Sequence, residues 1–444
     1  MDRLPVESVL PGSATLSIDT QPAVLLVPPL PAVGRTVLQD DSSSMATSES
    51  TAVTAVGEPA YSLQELEALA LASNPALSEA HSRVEAARGR GWQAGLPPNP
   101  SAGYLANEMG NEGTAGQQGA YISQKFIRGG KLQLDRAIEC REAQRLEEVW
   151  AMTQQRVLTD VRSLFYAILF LQQRQEIFEQ FIQTTGQSMS IAQQLFDAGD
   201  NTRTDVLLAE IEYEQAQTDL IAVRADIVAR WRELARVIGS ESIVPGRLLE
   251  DDVSVPELTW QDALVRMQQS PQIAAAMAEL ARNQTALRRA RVEPVPNLST
   301  QFAVQYDYGT DDAFASVQIG MPIPVLNRNE GGIYAANAEV RAAMQKVNRL
   351  QLAIERTLAE RFGEYQNALG QLQRIDEQIV PKATEVVKIS LSAYQAGELR
   401  MPDVLNAQRS LLRAMLGRQA ASRQLTMAWI EMEGFLLSNG LNPS

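Results

Sequence analysis

Between residues 296 and 327, apolar and polar positions alternate with a period of two. Leu298, Thr300, Phe302, Val304, Tyr306 and Tyr308 interleave with Ser299, Gln301, Ala303, Gln305 and Asp307. A second run sets Ala315, Val317, Ile319, Met321 and Ile323 against Ser316, Gln318 and Gly320. Such alternation predicts two strands, each with one apolar face, turned at the Asp- and Gly-containing residues 307–312. A fainter copy over residues 101–109 and 120–126 predicts another hairpin, joined through the Gly-rich residues 110–119.

Beyond each hairpin the period becomes helical. Residues 131–196 and 333–394 hold no proline except Pro381, and each predicts a rod of roughly 90 Å at about 1.5 Å per residue. A tight turn and a further long helix follow. In the first of these helices Val206, Ala209, Tyr213, Ala216, Leu220, Val223 and Ile227 step by three and four. Adding 198 gives Val404, Ala407, Leu411, Ala414, Arg418, Ala421 and Leu425, apolar at six of seven. Narrow seams with small residues imply helices packed closely side by side.

The chain therefore repeats once. Asn74-Pro75 recurs as Ser270-Pro271, Pro98-Asn99 as Pro296-Asn297, Gly129-Gly130 as Gly331-Gly332, and the run from Gly199 to Leu207 as that from Gly397 to Leu405, with offsets of 196, 198, 202 and 198. Residues 61–257 and 258–441 read as two copies of one unit: helix, hairpin, very long helix, turn, long helix. Ahead of them, residues 1–60 carry seven of the 21 prolines and a Ser/Thr-rich stretch, and read as disordered. The best apolar run there, residues 23–27, is too short for a secretory signal.

Composition works mainly by exclusion. Acidic residues outnumber basic ones, 53 to 39, and no basic run offers a phosphate-binding face, so nucleic acid is not the expected partner. One cysteine (Cys140) and one histidine (His81) leave no basis for a disulfide framework, a Cys/His zinc site or a His-based triad. No catalytic residue, metal site or cofactor is expected. The longest apolar run, residues 164–171, is too short for a membrane-spanning helix, but strands of a membrane β-barrel are short and only alternately apolar.

Four strands cannot close on themselves, and lipid does not tolerate open sheet edges, so other copies of the chain must complete the wall. Three copies would supply twelve strands. A soluble coiled-coil scaffold is the competing reading from the heptads alone, but it has no use for apolar residues at alternate strand positions.

With these features the chain resembles the TolC-like outer-membrane factors over residues 61–441. The resemblance rests on Ala198-Gly199 with Asp205-Val206-Leu207-Leu208-Ala209-Glu210, and on Ala396-Gly397 with Asp403-Val404-Leu405-Asn406-Ala407-Gln408. The segments from Gln124 to Leu132 and from Pro322 to Gly331 are most similar to the CzcC-like branch serving heavy-metal cation efflux. The resemblance implies a mainly α fold with a small membrane β part: a trimeric twelve-stranded barrel in the outer membrane, continued by an α-helical tunnel in the periplasm. Its implied partners are two further copies in a homotrimer, outer-membrane lipid, a periplasmic adaptor (membrane fusion) protein and an inner-membrane pump of the RND type. The implied activity is a passive exit duct for heavy-metal cations; drug efflux and type I protein secretion are alternatives. Relatives carry an export signal or an acylated N-terminal cysteine, and this sequence displays neither.

Gly199 and Gly397 fit the positive-φ position that ends a long helix. Asp205 and Asp403 fit the first turn of the next helix, where a carboxylate offsets free N–H groups, and Pro402 favours the same start. The resemblance implies a second role: Asp403, with Asp205, faces the periplasmic tip, where three copies form a cation-favouring ring held closed through Arg203, Arg400 or Tyr394. The cluster Asp307, Asp311 and Asp312 reads as a solvated turn rather than an ion site. Phe302, Tyr306 and Tyr308 suit an interfacial aromatic belt or packing between protomers. His81 and the scattered methionines read as packing or surface residues.

Overall fold

The computed structural model describes residues 59–110, 113, 115–240, 243–249 and 255–438. Of the N-terminal segment read as disordered, residues 1–58 lie outside this set. Ala60 does not fit that reading, because Ala60–Tyr61 forms strand β1, paired in parallel with β4, Arg247–Leu248.

Each unit begins with two helices where the sequence predicted one. Helix α1 (Leu63–Ser73) yields to α2 (Pro75–Ala94), and α5 (Trp260–Gln268) to α6 (Pro271–Val292). The cause is local: proline starts α2 and α6 because it has no N–H to give a preceding turn. Asn74 and Ser270 cap these helices, accepting from the N–H of Ala76 at 2.8 Å and of Gln272 at 3.3 Å.

Four strands follow from the two hairpins: β2 (Ser101–Asn107), β3 (Gln117–Phe126), β5 (Leu298–Asp307) and β6 (Asp312–Gly320). They make one antiparallel sheet in the order β2-β3-β5-β6, so the two hairpins join through β3 and β5 and leave β2 and β6 as edges. Strand β3 begins at Gln117, inside the predicted connection. Met321 and Ile323 fall beyond β6, because Pro322 and Pro324 have no N–H to continue a ladder.

Helix α3 (Lys131–Ala198) runs unbroken for 68 residues, roughly 100 Å at about 1.5 Å per residue. Its counterpart is broken. Helix α7 (Glu330–Arg374) passes through a π turn at Ile375–Ile379 into α8 (Val380–Gln395), with Pro381 on the far side of the turn. The returning helices are α4 (Arg203–Ile238) and α9 (Met401–Glu433). Arg418, the one polar residue in the predicted seam of α9, donates at 2.5 Å to Asp376 of the π turn. The seam and the rod thus depart from regularity at the same place.

One landmark shifts. Gly130 and Asn329 hold the same left-handed N-cap conformation (φ 67° and 60°), so the rods correspond at an offset of 199 rather than 202. Gly331 and Gly332 lie within the first turn of α7. A Cβ at Gly332 would stand 2.3 Å from the Asn329 side-chain oxygen, so a larger residue there would have to displace the Asn329 amide.

The large side chains gather where the short helices meet the rods. Phe165, Ile168, Trp231, Leu234 and Ile238 are buried with Leu66 of α1. Leu358, Phe362 and Tyr365 are buried with Ala263 and Met267 of α5. Burial of one such large side chain contributes about 1.5–3 kcal/mol. Tyr365 also donates its hydroxyl to the Pro256 carbonyl at 2.7 Å and fastens the segment before α5.

Candidate functional site

The two helix turns lie against each other at the end of the rods remote from the sheet. Ala192, Val206, Ala209, Tyr394, Met401, Val404 and Leu405 form one buried cluster drawn from α3, α4, α8 and α9. The turns share a backbone. Gly199 (φ 87°) and Gly397 (φ 74°) end their helices in the left-handed conformation, and the next N–H reaches back five residues, Asp200 to Leu195 at 2.9 Å and Glu398 to Ala393 at 2.9 Å.

The polar groups on this frame differ. Thr202 caps α4: its hydroxyl accepts from the Asp205 N–H at 3.3 Å and donates to the Asp205 carboxylate at 2.6 Å. At α9 the Asp403 carboxylate accepts the Arg400 N–H at 3.4 Å and is otherwise exposed. Among the described residues neither Arg203 nor Arg400 forms an ion pair with either aspartate. Tyr394 is 3% exposed, and its hydroxyl accepts a hydrogen bond from the Asn201 side chain. Burial, followed by the nearby Asp205 charge, pushes that hydroxyl above its ordinary value, and the Asn201 bond opposes the shift. Within one chain the aspartate near Tyr394 is Asp205.

A polar layer stands above this cluster. Gln408 is buried and donates to the Ser188 hydroxyl at 2.7 Å. Arg409 donates to Glu212 at 2.9 Å, tying α9 to α4 through a carboxylate that is itself buried.

At the opposite end the sheet has two unlike faces. Register places Tyr104, Ile122, Phe126, Phe302, Val304, Tyr306, Val317 and Ile319 on one face with Gln118 and Gln124, and Asn107, Gln117, Ser123, Gln301, Gln305, Asp307 and Gln318 on the other with Leu105, Tyr121 and Phe314, so that one face is mainly apolar and the other mainly polar. On the polar face Asn107 donates to Gln305 at 3.1 Å, and Gln117 donates to Asp307 at 3.2 Å. Phe302 and Tyr306 share the apolar face, and Tyr308, beyond the strand, stands edge-on to Tyr306 with ring centroids 5.1 Å apart. Asp307 and Asp311 are engaged in holding the turn, accepting from the Gly309 N–H at 2.8 Å and from the Tyr306 hydroxyl. His81 is exposed and meets the Trp150 ring at 5.8 Å.

The chain that carries this two-faced sheet on rods ending in paired glycine turns matches the family model for outer membrane efflux proteins. That model matches residues 66–240 and 265–436. The chain belongs to this family. It is 24% identical over 363 residues to the cobalt-zinc-cadmium resistance protein CzcC of Cupriavidus metallidurans, covering 78% of this chain and 83% of that one. Similar matches, also 24% identical, are the nickel-cobalt-cadmium resistance protein NccC of Alcaligenes xylosoxydans (68% and 69% covered) and the alkaline protease secretion protein AprF of Pseudomonas aeruginosa (64% and 62%). The outer-membrane channel OprN has the same fold, with a TM-score of 0.71 at 17% identity over 86% of this chain and 91% of that one.

The chain is thus an outer membrane efflux protein with the fold of an outer-membrane channel. Two features escaped sequence reasoning. The π turn leaves no periodic signal beyond Pro381 and Arg418. Trp92 at the end of α2 and Tyr334 near the start of α7 are 74% and 72% exposed, and only the order of helix packing, α2-α3-α6-α7, reveals that both belong to outer helices.

Proposed function

We propose that three copies of this chain close into a twelve-stranded barrel continued by a helical tunnel, and that this duct passively conducts heavy-metal cations out of the cell. The observation that carries the reading is the sidedness of the sheet: its apolar face suits lipid and its polar face a watery lumen, while both edges await partners. A periplasmic adaptor and an inner-membrane pump of the RND type supply cargo and energy. The cargo follows the metals that CzcC and NccC are named for resisting. AprF supports protein secretion as the second reading.

At the tip, Asp403 is exposed on the first turn of α9, and three copies place like charges around one axis, with Asp205 behind them and Arg203, Arg400 and Tyr394 as closing partners. Gene deletion tests the cargo: tolerance to cobalt, zinc or cadmium should fall and return on complementation. Unchanged tolerance together with a lost secreted protein would transfer the assignment to secretion. In planar bilayers Asp403→Asn should lower cation-over-anion selectivity several-fold, and an unchanged ratio would remove Asp403 from the conducting path.

A further inference from the structure

The sheet and the helices behind it have one internal junction, where β3 and α3 meet β5 and α6, and two open edges, β2 with α2 and β6 with α7. The edges are repeat copies of the two sides of that junction: β6/α7 corresponds to β3/α3, and β2/α2 to β5/α6. We propose that the open edges of neighbouring copies join in the register of the internal junction, with aromatic side chains in place of its ion pairs. This inference rests on the closed-wall reading given above.

The register follows from pairings within the chain. Ser101 pairs with Ser123, and Ser299 with Gly320. Ser101 and Ser299 correspond at an offset of 198, so Ser123 corresponds to Gly320 at an offset of 197. Ser123 faces Gln301 across the internal junction, and the counterpart of Gln301 in β2 is Gly103. Gly320 therefore faces Gly103 of the next copy, Ile319 faces Tyr104, Gln318 faces Leu105 and Val317 faces Ala106.

The faces run on across the seam, as pairings taken from the internal ladders require. Ile319, Val317, Tyr104 and Ala106 all belong to the mainly apolar face, and a slip of one residue would pair each of them with a residue of the opposite face. Every residue of β6 is exposed within one chain, as a strand awaiting a partner should be.

The helices extend the same seam. Inside the chain the junction is tied by charge: Lys131 lies 3.7 Å from Glu293, Asp135 accepts from Arg289 at 2.6 Å, and Arg282 lies 3.4 Å from Glu142. With the N-caps Gly130 and Asn329 aligned, Asp135 corresponds to Tyr334, and the last turn of α6 corresponds to the last turn of α2, which holds Trp92. The two exposed rings thus arrive at the height where the internal junction has an ion pair. Trp and Tyr are the residue types that anchor the centres of interfaces.

Oxidation of paired cysteines tests the register in full-length protein in its membrane, with Cys140→Ser as background. Tyr104→Cys with Ile319→Cys should convert the monomer band to a three-chain ladder that collapses on reduction. Within one chain these positions are three strand spacings apart, about 14 Å, too far for a disulfide. Ala102→Cys or Ala106→Cys with Ile319→Cys, two residues out of step on the same face, should give at least tenfold less ladder. A ladder from a shifted pair, or none from the matched pair while native mass spectrometry of the reduced protein shows a trimer, overturns the register and leaves the duct intact. Monomer alone in the reduced protein without cysteine substitutions overturns the duct and the register together. Trp92→Ala should raise the monomer share in detergent at least tenfold, and an unchanged share would remove the aromatics from the seam.

Discussion

The two turns at the tip have nearly the same backbone and quite different chemistry. Each rod ends at a left-handed glycine followed by a five-residue backward hydrogen bond. At the offset of 198, however, Phe196 in the first turn answers to Tyr394 in the second, Asn201 to Leu399 and Thr202 to Arg400. Duplication supplies a scaffold that closes its own helix ends. The side chains then divide the work: the second turn lends Tyr394 to the shared core, and the first supplies the Asn201 that satisfies it. A polar link between unlike partners fixes which turn sits where, as two identical turns could not.

Removing the aromatic side chains should expose this difference most strongly. Tyr394 is buried among Val404, Leu405 and Ala192, so Tyr394→Ala should destabilise the tip by roughly 3–5 kcal/mol, the usual cost for a buried aromatic. Phe196 is 36% exposed, and Phe196→Ala should cost about 1 kcal/mol or less. Amide exchange at the two turns reads both. Equal protection loss would mean that a neighbouring copy buries Phe196 as deeply as this chain buries Tyr394.

The glycines should behave alike. A Cβ at Gly199 or Gly397 would meet nothing within 4 Å, so the only cost of Gly→Ala is the left-handed backbone, about 1–2 kcal/mol at either site. A markedly larger loss at one would place another molecule against that turn.

The caps should diverge again, by less. Thr202→Ala removes a hydroxyl that both accepts and donates at the start of α4, at a cost of about 1 kcal/mol. Arginine has no acceptor, so Arg400 caps α9 through its backbone alone, and Arg400→Ala should change local stability by less than about 0.5 kcal/mol. Exchange rates in the first turns of α4 and α9 decide between them.

Much of this architecture can be read from residue patterns, because period two, period 3.6 and a helix-ending glycine each follow from backbone geometry. The strands around Phe302 and Val317, the rods and the turns at Gly199 and Gly397 are of that kind. What could not be read depends on contacts distant in sequence. Tyr394 could be assigned to the tip, but nothing local reveals that its partner is Asn201, 193 positions away. Proline at Pro75 and Pro271 splits helices that periodicity joins. Arg418 breaks an apolar seam for a reason visible only once Asp376 stands opposite.

The smallest expected effect concerns pH. The Tyr394 hydroxyl is held above its ordinary value first by burial and then by Asp205, so the packed tip keeps its proton in a range where an opened tip would lose it. The stability this contributes is complete below the ordinary tyrosine value, about 10, and drains away as pH rises through the raised one. Amide exchange at the tip, taken relative to its intrinsic base-catalysed rate, should therefore stay flat through neutral pH and accelerate in alkali. Tyr394→Phe should abolish that acceleration by placing at the second turn the residue that Phe196 already supplies at the first. Asp205→Asn should weaken it only in part, because burial is the larger cause. An alkaline response unchanged in Tyr394→Phe would assign the pH sensitivity to another group.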